Sequence, residues 1–506
     1  MSAQAIADPI GAARVQAPCA EVSSARAGET QRDAFPHTRR PLPWFLAGFM
    51  ALVFLFPIDA SELKVHIGVD SHPDRFGMIA LLLAWMWFGG DQRAFARTRR
   101  SKLFTTSACI FLAVAVASLL FEAPRVIGLG ELELSEKRFA LLASFLLLGW
   151  FALSALRFED LRGFSSYLIG LAVLMAIGMT IERRTGYNVF YEWGKHILGP
   201  IGTVGESGTG IVAEPGIFGR VNIVGPTVHP LAATAMLIMI MPLALVRALD
   251  AGSRRSRWLN GIACLLILVA AIETERKTAL LAPVLLIAYI AWYRPRQMLR
   301  LAPLGVVLAL AVVHVAAPGT LGTVLNPTAI TQSDSTSHRE GDFSGVLPDV
   351  LTHPLLGLGY GSLDPTHPAL YRVNDDQYVD EVWQTGILGL LAFVWMLLTP
   401  IILARPAIRL RGPTVASLAL ATSAGCFVFL VVTALFDSMG FTEVPYIFFL
   451  LAAMTTIAAA GQEGNVAKSL PEPVRQRAGR RMPAVATAGI LTSSRGSGVP
   501  PSRSLG

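Results

Sequence analysis

Long apolar runs, separated by shorter polar segments, alternate along most of this chain. Runs of about 17–22 residues are long enough for an α-helix to cross ~30 Å of hydrocarbon. No water is present in that layer, so each run must bond its own backbone amides and is expected to be helical. The pattern predicts an all-α, polytopic membrane protein with about twelve transmembrane helices, near residues 43–58, 74–89, 104–121, 138–155, 164–181, 232–248, 258–273, 276–293, 299–316, 386–404, 414–436 and 443–460.

Composition and charge agree with this class. The chain is 53% hydrophobic and 15% charged, too apolar for an ordinary soluble protein. Its net charge of +7 does not indicate nucleic-acid binding, because the basic residues cluster in alternate loops, as the positive-inside rule expects. The alternation predicts that both termini are cytoplasmic, with these inner clusters: Arg39 and Arg40; Arg93, Arg97, Arg99, Arg100 and Lys102; Arg157 and Arg162; Arg247, Arg254, Arg255 and Arg257; Arg294, Arg296 and Arg300; Arg405, Arg409 and Arg411; Arg475, Arg477, Arg480 and Arg481.

The same pattern divides the chain into three parts. Residues 1–42 and 461–506 are rich in Ser, Pro, Arg and small residues and are expected to be disordered cytoplasmic tails. Residues 43–460 form the predicted transmembrane domain. It carries two long outer loops, about 182–231 and 317–385, where polar groups that a bilayer excludes can handle a substrate.

A few basic residues run against the inner bias and lie in or beside the predicted outer loops. Two interpretations are open for each: anion binding, or pairing with nearby acids such as Glu182, Glu275 and Glu340 and with lipid phosphates. Arg276 and Lys277 stand at the mouth of a span, where a charge is costly and usually functional. A guanidinium there suits bidentate binding of a phosphate or pyrophosphate. The full set is Arg183, Arg184, Lys195, Arg220, Arg276, Lys277, Arg339 and Arg372.

The second outer loop contains a glycine-rich segment, THPLLGLGYG, at Thr352–Gly361. It lacks the Lys-Ser/Thr of a P-loop, so it is weak evidence for nucleotide binding. We expect a tight, buried re-entrant turn in which glycines allow close backbone approach. His353 and His367 are possible general bases, but their separation and the absence of a cysteine partner do not indicate a metal site, and no cofactor is expected.

Acidic residues precede the next span. If a helix begins near Asp376, Asp376 lies four residues before Asp380 and Gln377 four residues before Glu381, with Tyr378 close by. Such acids either oppose the helix dipole or act as a general base and contact acceptor hydroxyls.

Three segments together resemble the O-antigen ligase and polysaccharide polymerase superfamily. The first segment, which resembles the signature loop of the family, contains SHRE, THPLLGLGYG and NDDQYVDEVWQTGILGLL. The second, ETERKTALLAP, resembles its arginine motif, and the third, GRVNIVGPTVHPLAAT, resembles its glycine-rich stretch. The resemblance implies a metal-independent, multi-pass glycosyltransferase of the bacterial inner membrane. Such an enzyme acts at the periplasmic face in cell-surface or exopolysaccharide biosynthesis and transfers a glycan from undecaprenyl pyrophosphate to an acceptor sugar hydroxyl. The implied partners are the lipid-linked oligosaccharide donor, the glycan acceptor, membrane lipids and other polysaccharide-assembly proteins.

By position, Arg276 and Arg339 match the functional arginines of the family, and Arg220 is a third candidate. Pre-placed guanidinium groups would stabilise the charge that develops on the leaving pyrophosphate. We assign the acceptor base to Asp375 or Asp376, with Glu381 next. The remaining substrate contacts are assigned to Lys277, His353, Gly357, Gly359, Tyr378 and Glu381.

Departures from the family pattern favour a polymerase over a ligase that acts on lipid A core. Asp375-Asp376 stands where such ligases usually carry His-Asn, and Gln384 replaces a usual Glu. Two other classes stay open. A transporter of lipid-linked glycans should carry charged or broken spans and an internal repeat, which the sequence does not display. A non-catalytic assembly partner is the third alternative.

Overall fold

The structure is a computed structural model that describes residues 34–64, 71–89, 99–214, 217–300, 302, 305, 345–363, 376–410 and 412–461. Within these ranges only the backbone is described at 99–100, 210–221, 277 and 410. The helices are α1 Pro41–Leu55, α2 Pro73–Phe88, α3 Arg99–Phe121, α4 Ala123–Leu129, α5 Leu132–Ala155, α6 Asp160–Thr185, α7 Val189–Leu198, α8 Pro230–Asp250, α9 Arg254–Glu273, α10 Lys277–Tyr293, α11 Gln377–Leu410, α12 Pro413–Val432 and α13 Glu443–Ala460. The strands are β1 Ser61–Leu63, β2 Gly202–Val204, β3 Gly210–Glu214 and β4 Ile217–Asn222.

The chain is mostly helical, and eight helices in its described part are long and apolar enough to cross a membrane. They are α3, α5, α6, α8, α9, α11, α12 and α13. The prediction of a helical membrane protein is therefore confirmed at this level. The count of twelve spans is not confirmed. Helices α1 and α10 are shorter apolar helices, and α2, at the predicted span 74–89, has only 16 residues. The predicted span 299–316 lies almost wholly outside the described residues.

Helix α13 forms the centre of the bundle, since every residue of the helix is buried. It packs against α5, α11 and α12 through alanines and a group of aromatic rings, including Phe448 and Phe449. Small residues let neighbouring backbones approach closely in an apolar setting. The Thr455 and Thr456 hydroxyls donate to carbonyls four residues earlier in the same helix, so these buried polar groups are satisfied without water.

The two ends of the bundle differ in charge. At one end, here called the arginine end, Arg40 Nη2 donates to both Asp160 carboxylate oxygens at 2.7 Å, and Arg247 and Arg294 bond Ser166 and Asp250. The opposite, carboxylate end contains Asp59, Asp380, Asp437 and Glu443. These residues stand at the N-terminal ends of α11 and α13 and in the segments that follow α1 and α12.

The segments that the sequence assigned to tails and outer loops are partly structured. Residues 34–40 pack on the bundle, and the backbone N–H of Phe35 donates to Asp160 Oδ1 at 2.9 Å. The rest of the N-terminal tail and residues 462–506 lie outside the described residues. The predicted loop 182–231 contains α7, the β3–β4 hairpin and β2, which pairs antiparallel with β1. It was expected to be too rich in glycine for helix throughout. Among its described residues, α7 is the one helix that lies wholly within the segment, whose two ends belong to α6 and α8.

Candidate functional site

The glycine-rich turn fills a break in helix α11. Gly386 has φ 67° and ψ −170°, which interrupts the helix and leaves backbone groups without their usual partners. Residues of the turn supply those partners. Leu358 N donates to Trp383 O at 3.0 Å, Gly359 N donates to Gln384 O at 2.9 Å, and Pro354 O accepts from Ile387 N at 2.9 Å. The polar backbone is therefore satisfied inside the bundle.

Glycine is required on both sides of this contact. Gly357 and Gly359 have φ values of 65° and 101°, which side-chain-bearing residues rarely adopt. A Cβ on Gly357 would lie 2.6 Å from Gly386 N. The predicted segment Thr352–Gly361 is therefore a tight turn that is buried from Gly357 onward, whereas Thr352, Pro354 and Leu355 are exposed. Gly357 and Gly359, assigned to substrate binding, are used in this backbone packing.

Side chains from α3, α4 and α5 hold the turn in place. Ser118 Oγ donates to Gln384 O at 2.8 Å, and Ser135 Oγ donates to Tyr360 O at 2.6 Å. Arg125 Nη2 donates to Leu358 O and, at 2.7 Å, to Ser362 Oγ. Three consecutive helices that lie more than 200 residues before the turn thus hold it in place.

A polar cavity of about 240 Å³ lies beside this turn at the carboxylate end. We call it the Asp437 cavity. Helix α5, the turn, α11 and the loop between α12 and α13 all contribute to it. Its lining residues are Arg138, Leu141, Phe145, Tyr360, Gln377, Asp380, Gln384, Asp437, Met439 and Gly440.

Gln384 connects the cavity to the glycine-rich turn. Its Nε2 donates to Asp380 Oδ2 at 2.5 Å, and its Oε1 accepts from Gly361 N at 2.6 Å. Both ends of the amide are used, so the Asp380 carboxylate is held in one orientation against the wall of the cavity.

Asp437 has an unusual protonation equilibrium. Its side chain lines the cavity, with Oδ1 accepting from Gly440 N at 3.0 Å. Enclosure by protein and, secondarily, the negative charge of Asp380 raise the pKa of Asp437 to about 7, although Arg138 acts in the opposite direction. A carboxyl group with a pKa near neutrality can accept and return a proton at physiological pH.

The acids predicted ahead of α11 have structural partners. Asp376 Oδ1 accepts from Tyr378 N at 2.9 Å, which favours the helix-terminus interpretation of this residue. Glu381 is 1% exposed and accepts from Gln377 Nε2 at 3.2 Å and from Thr385 Oγ1 at 3.3 Å. Tyr378 donates its hydroxyl to Leu430 O at 2.7 Å. None of these three residues lines the Asp437 cavity, and Asp375 lies outside the described residues.

Arg276 precedes α10 and points toward the β3–β4 hairpin. Its Nη2 donates to Asn222 Oδ1 at 3.0 Å. The preceding residue, Glu275, has a φ of 56° that is uncommon outside glycine, and it pairs with Arg183 at 2.5 Å. Arg184 lies 3.8 Å from Glu273. The ion-pair interpretation therefore holds for Arg183 and Arg184.

The remaining predicted site residues are described in part or not at all. Arg220 belongs to β4, and Lys277 begins α10, but only their backbones are described. Arg339 lies outside the described residues. His353 Nδ1 is 3.0 Å from Thr352 Oγ1, and its Nε2 is 3.8 Å from Glu122 Oε1. Its side chain is 40% exposed and is not part of the cavity lining.

Sequence reasoning missed Arg138 and Asp437 and did not select Asp380 or Gln384. A signal for Arg138 was present, because it begins the predicted span 138–155 on the outer side and so resembles Arg276 in position. Asp437 directly follows the predicted span 414–436. Among the described residues, no three His, Cys, Asp or Glu side chains lie close enough together to hold a metal ion.

The chain is a helical membrane protein with a small polar cavity at one end of its bundle. No family model and no curated protein matches its sequence.

Proposed function

We propose that this chain is a membrane glycosyltransferase that transfers or polymerises undecaprenyl-pyrophosphate-linked oligosaccharide units. The observation that carries the proposal is the Asp437 cavity, in which two carboxylates, two carboxamides and a guanidinium converge at the end of an otherwise apolar bundle. Convergent polar groups in a concave site are typical of small-ligand binding. Sugar hydroxyls both donate and accept hydrogen bonds, so they can satisfy carboxylates and guanidinium alike.

The charge distribution along the chain sets the proposed orientation. The arginine end contains Arg40, Arg247 and Arg294, which belong to clusters that the positive-inside rule assigns to the cytoplasm. The carboxylate end then faces the periplasm, both termini are cytoplasmic, and the protein belongs in the bacterial inner membrane. Lipid-linked donors would approach the carboxylate end from the outer leaflet, and other polysaccharide-assembly proteins would receive or deliver the glycan.

In the proposed reaction, an acceptor hydroxyl oxygen attacks the anomeric carbon of the donor sugar. A new glycosidic C–O bond forms as the sugar–pyrophosphate C–O bond breaks, and the bonding electrons leave with the lipid pyrophosphate. The hydroxyl proton passes to a base. Arg276 and Arg339 are assigned to stabilise the negative charge that develops on the pyrophosphate. Arg220 and Lys277 are assigned to substrate binding. The hydrogen bond from Arg276 to Asn222 gives that guanidinium a fixed place near the N-terminus of α10, where anions are favoured.

Within this class, a polymerase is favoured over a lipid A core ligase by Asp375-Asp376 and Gln384. One observation supports the transporter alternative: α11 is broken at Gly386, and broken helices are typical of transporters. The glycine-rich turn occupies that break with protein backbone, which argues against a transport site there. A non-catalytic assembly partner is the remaining alternative.

The test is an assay in nanodiscs with undecaprenyl-pyrophosphate-linked oligosaccharides extracted from cells that make this protein. Wild type is compared, in EDTA, with Arg276→Ala, Arg339→Ala and a control, Arg184→Ala, which changes an arginine that is 65% exposed. The proposal expects chain extension by wild type and the control and its loss in the other two variants. Single transfer to a different acceptor would indicate a ligase. Movement of donor between leaflets of proteoliposomes, without transfer, would indicate a transporter.

A further inference from the structure

The loop that carries Asp437 is held tightly against α11. Met439 N donates to Gln377 Oε1 at 2.8 Å, and Gln377 N donates to Thr433 O at 3.2 Å. Thr433 Oγ1 and Ser438 Oγ lie 3.0 Å apart. These bonds cross-link the loop to the first turn of the helix. Asp437 and Asp380 therefore face the same cavity from two elements whose spacing is fixed.

The charges in the cavity are not balanced. Among the described residues that line it, Asp380 and Asp437 present two carboxylates, and Arg138 is the one cationic side chain. Two neighbouring carboxylates in a partly enclosed site do not both ionise easily, so one retains a proton near neutral pH. Gln384 Nε2 donates to Asp380 Oδ2, and burial raises the pKa of Asp437 to about 7. The proton is therefore assigned to Asp437.

The size of the cavity limits what it can hold. Its volume of about 240 Å³ is below the ~300–1,000 Å³ of common ligand pockets. The space suits one sugar ring. Phe145 and Tyr360 add aromatic surface to the wall, on which the apolar face of a sugar ring can rest.

On the strength of the proposed function, we propose that the Asp437 cavity binds the terminal sugar of the acceptor and that Asp437 is the catalytic base that removes its hydroxyl proton. The proton moves from the attacking hydroxyl to the Asp437 carboxylate as the glycosidic bond forms, and it then leaves to water. Asp380, oriented by Gln384, binds a second hydroxyl of the same sugar. Arg138 is a positioning residue that sets the ionisation of Asp437.

The alternative bases are less suited to this role. The Asp376 carboxylate accepts from the backbone at the start of α11, and the Glu381 carboxylate is buried against Gln377 and Thr385. Neither residue lines the cavity. A base needs access to the proton that it removes, and Asp437 has that access.

The test is the pH profile of kcat/KM in the nanodisc assay for wild type and five variants. Wild type should lose activity below a pH near 7, because Asp437 must be ionised to act. Asp437→Asn should reduce the rate by about 10²–10⁴-fold, the usual contribution of a general base. It should also remove the acidic limb of the pH profile, which is the fall in activity below pH 7. Asp380→Asn should shift the limb to lower pH because it removes a negative charge, and Arg138→Gln should shift it to higher pH. Glu133→Gln, which changes a carboxylate that is 81% exposed on the same helix as Arg138, should leave the profile unchanged.

The outcomes separate the two proposals. Absence of transfer by folded wild type overturns the proposed function and this base with it. Transfer by wild type with full activity in Asp437→Asn overturns the base assignment alone, as does loss of activity in Asp376→Asn with Asp437→Asn unaffected. Asp437→Asn keeps an oxygen for the Gly440 bond, so unfolding is not expected. The size-exclusion profile and Tm verify that each variant is folded. Opposite shifts of the acidic limb in Asp380→Asn and Arg138→Gln would not follow from a merely structural role of these residues.

Discussion

A Cβ placed on Gly357 would lie 2.6 Å from the backbone nitrogen of Gly386, so these two glycines meet backbone to backbone where α11 is broken. The contact joins the glycine-rich turn to the helix that supplies three residues of the Asp437 cavity. The geometry of the cavity therefore depends on a junction with no room for a side chain.

We expect Gly357→Ala to destabilise the protein. Alanine at a φ of 65° carries a conformational cost of about 1–2 kcal/mol, and displacement of the α11 backbone adds to it. Thermal unfolding in nanodiscs should give a clearly lower Tm. Gly170→Ala is the matched control, because a Cβ there has nothing within 4 Å and lies in a helix, where alanine is favoured by up to about 1 kcal/mol. Equal Tm values for the two variants would contradict the packing described for Gly357.

Asp437→Asn should change stability in a pH-dependent way. Because the pKa of Asp437 is raised from 3.8 to about 7 in the folded protein, the protonated carboxyl is favoured by folding. That contribution is complete below pH 3.8 and is lost as the pH rises through 7. Asparagine does not ionise, so the variant should gain Tm over wild type between pH 4 and 7, with a constant difference above that range. A difference independent of pH, or a matching trend in Glu133→Gln, would contradict the assignment.

Glu182 should control the order of the segment that follows the β3–β4 hairpin. Its carboxylate accepts from Val224 N at 3.0 Å, Gly225 N at 2.9 Å and Thr209 Oγ1 at 2.7 Å. Glutamine can keep one oxygen as acceptor but turns an NH₂ group toward a backbone N–H, so we expect a loss of about 1.5–3 kcal/mol, the range for a hydrogen bond to a charged group. Hydrogen exchange at Val224 and Gly225 should accelerate in Glu182→Gln. Unchanged exchange at both amides would show that the carboxylate does not hold this segment.

Asp160 should be the most sensitive acid at the arginine end. Its buried carboxylate accepts from Arg40 and from the backbone N–H groups of Phe35 and Arg157. Asp160→Ala removes all of these acceptors and leaves a mostly buried guanidinium without its partner, for which we expect a cost of about 3–5 kcal/mol. Glu159→Gln, at an exposed neighbouring position, is the control and should keep the wild-type Tm. Similar Tm values for the two variants would contradict the role of Asp160.

The hydrophobic pattern alone was sufficient to predict the class of fold. Apolar runs at 104–121, 138–155, 164–181 and 443–460 each coincide with a long apolar helix, because a segment that lies in hydrocarbon must bond its own backbone. The pattern around Thr352–Gly361 also predicted a tight buried turn, since repeated glycines permit conformations that other residues resist. These features depend on neighbouring residues in the chain and can be read locally.

Only the tertiary structure could assemble the cavity. Arg138, Asp380 and Asp437 lie on three separate elements, with Arg138 more than 200 residues from the two acids, and no local pattern indicates that they face one another. Asp376 and Asp380 also differ in role because of their tertiary contacts. Asp376 accepts from the backbone in the first turn of α11, whereas Gln384 orients Asp380 toward the cavity. The sequence by itself determined which segments are helical, because backbone bonding and apolar length are properties of a segment. The packing of the helices decided which polar side chains share an enclosed site and how they ionise, because burial and charge depend on neighbours brought together from distant parts of the chain.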